Sequence, residues 1–223
     1  DILVVVDNSG SMKEEQENLS SKLSPLLSYV KDSNWRIGVV TTDPKDGCLR
    51  SLIQKSDANP NAAFASAVSA GLGGSGNERG ILQAVNGLKG ECNPNGSWLR
   101  AQSTVAVLIV SDEDNCSAGK DCGTDPWAYG SYLTNYLSSI RQTGINARVY
   151  GIIGHPSLTS NQCKTMASKA HIYADVIAQT GGSWGSICAS DYSGTLQAIS
   201  QDISIILMTQ FALQYKPVTE TIK

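Results

Sequence analysis

Apolar and polar positions along this chain follow two alternating rhythms. The first is a near-continuous apolar run: Ile2 to Val6 ("ILVVV"), then 35–42 ("WRIGVVTT"), 103–111 ("STVAVLIVS") and 145–154 ("INARVYGIIG"). Such runs suit parallel strands covered on both faces, where no solvent side calls for alternation. The second rhythm has the helical period. Residues 12–31 carry Leu19, Leu23, Leu26, Leu27 and Val30 on one stripe, with Pro25 expected to kink or divide the helix. Further helices are expected over 60–71, over 78–90 with an end near Gly87 or Gly90, and over 126–143, opened by Pro126 and stopped at Gly144. The segment 160–180 reads as mainly helix, and 193–209 places Leu196, Ile199, Ile203 and Ile206 inward.

"CLRSLIQ" (48–54) follows its predecessor too closely for a crossover, so it is expected as a short antiparallel strand at a sheet edge. "SWGSIC" is a short last strand. Strand–helix alternation of this kind predicts an α/β domain over residues 1–210: a doubly wound, mostly parallel sheet with helices on both faces. The tail 211–223, "FALQYKPVTETIK", alternates like a strand and is expected to pair locally or lead toward a neighbouring domain.

Composition narrows the classes. A length of 223 residues suits one substantial core, and 41% hydrophobic against 17% charged residues is ordinary for a globule. The net charge of −3, without clustered Lys or Arg, offers no footprint for nucleic acid. No apolar stretch approaches the roughly 20 residues a bilayer crossing needs. With no initiator Met or leader, the chain reads as a piece of a longer precursor, a monomeric domain within a larger surface protein. The six cysteines, Cys48, Cys92, Cys116, Cys122, Cys163 and Cys188, lie near turns and lack zinc-site spacing. They predict disulfides and an extracellular setting. Cys116 and Cys122 flank a short glycine-containing loop and are expected to pair; Cys48–Cys92 and Cys163–Cys188 follow by elimination among about 15 connectivities.

Chemistry concentrates where strands end. In open α/β sheets, ligands bind beyond the carboxyl ends of strands, where the winding reverses. Two buried runs end there in acids, "LVVVD" at Asp7 and "VLIVSD" at Asp112. Ser9 and Ser11 follow Asp7 at alternate positions, and the glycine-rich loop with Ser75 opens on the same side. Hydroxyl and carboxylate oxygens without sulfur or imidazole select a hard divalent cation, Mg²⁺ first, with Mn²⁺ or Ca²⁺ as alternatives. Serines supply geometry without neutralising the ion, which leaves a position attractive to a partner's acid. The competing reading is a helix N-cap followed by turn serines. Asp114 is the alternative ligand to Asp112. Glu113, Asp114 and Asp121 form either a second cation site or a solvated loop, and Trp127, Tyr129 and Tyr132 either rim the site or pack on the sheet.

"DNSGSM" after an apolar strand, the Ser75 loop and "VSDED" after a buried strand together resemble a von Willebrand factor type A domain of the bacterial surface or pilus-adhesin kind. The resemblance covers nearly the whole chain. It implies a metal-ion-dependent adhesion site with Asp7, Ser9, Ser11, Ser75 and Asp112 as ligands. Two positions depart from that family's pattern: Ser75 stands where a Thr is usual, and Glu113 where a Gly usually follows the acid. The resemblance also implies exchange between closed and open states, coordinated by Asp112 in one and by the Ser75 position in the other, coupled to sliding of 193–209.

The function this implies is cell adhesion or protein recognition, with the cation gripping an Asp or Glu of a host, a neighbouring cell or another domain. A structural role in a pilus tip or scaffold is the alternative. A phosphohydrolase using Asp7 as nucleophile is disfavoured, because the first loop carries serines where a second carboxylate would be wanted and has no Lys. The chain is therefore expected not to be an enzyme.

Overall fold

Among the described residues, six strands form one sheet in the order β3-β2-β1-β4-β5-β6. They are β1 (Ile2–Val6), β2 (Arg36–Thr41), β3 (Ser51–Gln54), β4 (Val105–Ser111), β5 (Ala147–Ile153) and β6 (Trp184–Ser186). The computed structural model describes residues 1–47, 49–90, 93, 96–117, 122–141 and 146–208. β2 and β3 pair antiparallel, and every other neighbouring pair is parallel, as the strand pattern predicts. β1 has β2 on one side and β4 on the other, with Val6 level with Thr41 and Val110. The winding direction therefore reverses between β1 and β4, and both acid-bearing loops leave the sheet at that crevice.

Alternate residues of each strand serve opposite faces. Ile2, Val4 and Val6 join Leu108 and Val110 beneath helices α1 (Lys13–Ser20), α2 (Leu23–Leu27), α3 (Pro60–Val68) and α7 (Ser193–Met208). Leu3 and Val5 join Val107 and Ile109 beneath α4 (Gly80–Lys89), α5 (Ser131–Ile140) and α6 (His171–Gln179). All five residues of β1 and all seven of β4 are buried, which explains why neither run alternates in sequence.

Several helices are shorter than their periodicity predicts. The 12–31 helix is divided at Ser21 and Lys22, ahead of Pro25. Pro25 then occupies the first turn of α2, where its missing N–H has no helical partner to lose. The 60–71 helix ends at Val68. The 126–143 segment is a 3₁₀ turn, Pro126–Ala128, followed by α5. α4 starts at Gly80, two residues later than expected, and stops at Gly90, whose left-handed φ of 65° closes the helix.

The largest correction concerns 160–180, of which only His171–Gln179 is helical. Upstream, Ala167 and Ser168 both donate their backbone N–H to the carbonyl of Asp112 at 3.0 Å, and Ala170 N donates to Gly154 O at 3.2 Å. Cys163 is bonded to Cys188. These long-range ties take up donors that a continuous helix would need. Cys116–Cys122 is also formed. Cys48 and Cys92, Asp121 and the 211–223 tail lie outside the described residues.

Candidate metal centre

Asp7 continues the β1 ladder by one bond, its N–H donating to Val110 O at 2.9 Å. Its side chain is fully buried. Oδ1 accepts from the Ser9 N–H at 2.8 Å, and Oδ2 accepts from the Ser111 hydroxyl at 2.6 Å. The Ser9 and Ser11 hydroxyls lie 3.1 Å apart. The N-cap alternative is not realised: α1 is preceded by Met12, with no side-chain cap, and the Asp7 carboxylate folds onto its own loop instead. Gln16, reaching down from α1, donates to the carbonyls of Asp7 and Gly71, each at 2.9 Å, and so ties the first loop to the glycine-rich one.

The loop after β4 gives each polar residue a separate task. Ser111 holds Asp7, as above. Asp112 is 1% exposed, and among the described residues neither of its carboxylate oxygens has a hydrogen-bond partner. Glu113 accepts a bond from the Ser117 hydroxyl. Asp114 caps α6, accepting from Ile172 N at 3.0 Å and Tyr173 N at 3.3 Å. Asn115 accepts from Ile81 N at 3.1 Å, which caps α4, and donates to Trp127 O at 2.8 Å. Asp114 is therefore engaged as a helix cap rather than held ready beside Asp112. Within this run the Asp114 and Asn115 side chains staple helices to the sheet edge, and Glu113 bonds inside its own loop.

The glycine-rich loop closes the third side. Gly74 donates to Asn8 O at 2.9 Å, and a Cβ there would lie 2.3 Å from Asn8 Oδ1. Only glycine permits that approach. Ser75 donates its N–H to Asp43 Oδ2 at 3.0 Å, and its hydroxyl accepts from Asn77 N at 3.1 Å. Ser75 is thus on the same edge as the other four predicted residues, but its hydroxyl is engaged within its own loop.

Three residues at this edge escape the sequence reading. Ser111 and Gln16 hold Asp7 by its side chain and its carbonyl. Glu78 is fully buried, with both carboxylate oxygens unpartnered. The sequence reading places Glu78 at the start of the helix over 78–90; a charged residue closing a glycine-rich loop beside the two acid-bearing strand ends was the available clue.

Electrostatics follow from this crowding. Burial, then the charge of Asp7, pushes the Asp112 carboxyl up to about 7. The Ser11 hydroxyl opposes this slightly without reaching hydrogen-bonding geometry. Burial and Asp7 together push Glu78 up to about 9. Asp7 itself is raised by burial, against the bond from Ser111. Asp7, Glu78 and Asp112 are thus buried carboxyl groups at one edge whose charges oppose each other's ionisation. Among the described residues, no three His, Cys, Asp or Glu side chains converge tightly enough to form a metal cluster unaided. Hydroxyls would have to complete any shell. Unpartnered buried carboxylate oxygens beside paired serine hydroxyls are a donor set that fits a hard divalent cation.

A cleft of about 350 Å³ opens onto this edge, lined by Ser11, Asp112, Lys13, Glu15, Lys164 and Thr165 among others. Of the three aromatics after the β4 loop, Tyr129 is 58% exposed. Trp127 and Tyr132 are half-buried against the core and meet edge-on at 6.3 Å.

No protein-family model matches the chain, and no curated protein matches it. Among solved structures, it is similar to proximal thread matrix protein 1 from the mussel byssus, at 9% identity and a TM-score of 0.46, over 93% of this chain and 47% of that one. It is also similar to the pilus adhesin SpaC from Lactobacillus rhamnosus GG in an open conformation, at 14% identity and a TM-score of 0.47, over 92% of this chain and 30% of that one. The chain spans about half the length of the first and about a third of the second.

Proposed function

We propose that this domain is an extracellular recognition module of the von Willebrand factor A kind. It holds a divalent cation, Mg²⁺ foremost, through Asp7, Ser9, Ser11, Ser75 and Asp112, and offers it to an Asp or Glu of a protein partner. The observation that carries the reading is Asp112. A fully buried carboxylate with both oxygens unpartnered, beside a second buried acid and at the mouth of an open cleft, is costly unless a cation meets it. Lys13 and Lys164 on the cleft wall would favour an approaching acid. Two disulfides among the described residues fit an oxidising compartment. The role is binding rather than catalysis, in adhesion to a host or neighbouring cell or in assembly with another domain. Calorimetric titration of the oxidised domain with Mg²⁺, Mn²⁺ and Ca²⁺ tests it: one-site uptake that Asp7→Ala abolishes is expected, and no uptake of any of the three refutes it.

A further inference from the structure

Among the buried acids that the five-ligand reading leaves without a task, Glu78 is the one with both carboxylate oxygens unmet. Its position is fixed from both sides. The carbonyl of Glu78 accepts the N–H of Cys116 in the β4 loop, and the next residue, Arg79, donates its N–H to Thr42 O at 3.1 Å at the end of β2. Between these anchors the side chain is fully buried beside the carboxyl of Asp7 and the Thr42 hydroxyl, and among the described residues neither of its oxygens meets a partner in hydrogen-bonding geometry. Asp112, with both oxygens equally unpartnered, completes the group. Two carboxyl groups face to face in a dry site persist in one of two ways: a proton bridges them, or a cation does. A bridging proton would serve Glu78 and Asp7 but leave both oxygens of Asp112 unmet.

We propose that Glu78 is a further ligand of the cation, contributed by the loop that enters α4. This rests on the cation-binding reading above and alters its chemistry. Asp7, Asp112 and Glu78 do not converge into a ready-made cluster, so ligation requires their carboxylates to draw in around the ion. With Glu78 engaged, three formal negative charges meet a divalent ion, and it is not left under-neutralised. Glu78 stands in for the acid that a partner would supply, and the partner must displace it or add to it. Additional carboxylate oxygens also suit Ca²⁺, which takes about 6–8 oxygen ligands, better than Mg²⁺, which holds strictly to about six.

The test compares the wild-type domain with Glu78→Gln by calorimetric titration with Ca²⁺ and with Mg²⁺, alongside thermal unfolding of both proteins in chelator. Glutamine preserves shape and can donate a hydrogen bond to Asp7, so it mimics the protonated acid. Ligation predicts at least a tenfold loss of Ca²⁺ affinity in Glu78→Gln, with the metal-free unfolding midpoint unchanged or raised. Ca²⁺ and Mg²⁺ affinities within twofold of wild type would overturn it and assign Glu78 to a shared proton. If Glu78→Gln does not fold, Glu78→Asp keeps the charge but withdraws it by one methylene; undiminished affinity there would equally overturn the assignment. Absence of uptake by the wild type would remove the cation reading itself, whereas uptake unaffected at position 78 removes only this ligand.

Discussion

Removing divalent cations should make this protein less stable as pH rises from about 4 to about 7, the reverse of ordinary acid denaturation. The perturbation is chelation, and the responsible group is Asp112. Its carboxyl is pushed from 3.8 in the unfolded chain to about 7 in the fold. Between those values the folded state binds a proton that the unfolded state has released, so folding stability declines with rising pH. The contribution is complete below about pH 4 and gone once pH has passed about 7. A shift of roughly three units corresponds to ~4 kcal/mol; side-chain relaxation and entering water make ~2–4 kcal/mol the realistic range. Glu78, raised from 4.5 to about 9, carries the same sign further up the scale. The two are not independent, since Asp7 raises both.

Urea unfolding followed by tryptophan fluorescence, with disulfides intact, measures the effect. At ~1–3 kcal/mol per molar urea, the midpoint in chelator should fall by about 1 M or more between pH 5 and pH 8. Saturating Mg²⁺ or Ca²⁺ should erase the fall, because a cation stabilises the ionised carboxylates, and binding only the folded state adds ~2.7 kcal/mol at a hundredfold excess over Kd. A midpoint in chelator that is flat or rises from pH 5 to pH 8 would refute the reasoning, because Asp112 would then be ionised and satisfied without a metal.

Other perturbations separate the roles of neighbouring residues. Ser111→Ala removes the hydroxyl that holds Asp7 Oδ2, and should weaken cation binding about 10–100-fold with little change in fold, as loss of an outer-shell partner does; calorimetry reads it. Asp114→Ala removes the α6 cap and should cost about 1–2 kcal/mol in unfolding experiments while leaving cation affinity within a few-fold of wild type. A large loss of affinity there would instead make Asp114 a ligand. Replacing Cys163 and Cys188 with Ser opens a 25-residue separation and should cost about 3 kcal/mol by chain entropy, visible as a lowered thermal midpoint.

The strands were readable because burial on both faces writes itself as uninterrupted apolar sequence, and the acid-bearing sheet edge followed from which runs ended in acids. Asp7, Ser9, Ser11 and Asp112 come from those two loop ends. Helix limits were less readable, because they are set across the fold. Nothing in "SNQCKTMASKA" tells that Ala167 and Ser168 bond to the carbonyl of a residue 55 and 56 positions earlier in sequence. Glu78 is hidden for a related reason. An acid two residues before a helix is ordinary, and its burial emerges only once Asn115 has taken the α4 cap and the β4 loop has closed over it. Ser75 shows the opposite limit: its place on the edge was legible, but not the bond from Asn77 that engages its hydroxyl.

The β4 loop explains why site and fold are hard to separate here. Successive residues are committed to different bodies: Ser111 to Asp7 on β1, Asp114 to α6, Asn115 to α4 and to the turn before α5, and Cys116 to Cys122. Cys116 adopts a left-handed φ of 57°, which turns the chain so that its N–H reaches the carbonyl of Glu78. Asp112 is the one acid in this run with no protein partner, yet its own carbonyl holds the segment leading into α6. The backbone at Asp112 therefore cannot swing outward without loosening contacts that cap two helices. A flexible acidic loop could relieve repulsion among Asp7, Glu78 and Asp112 by swinging outward. A loop stapled at each neighbouring residue keeps them together, and what remains to relieve them is a proton or a cation. Under the proposed cation reading, a divalent ion and a proton compete for Asp112, whose carboxyl is pushed up to about 7, and cation affinity should fall as pH drops below that value.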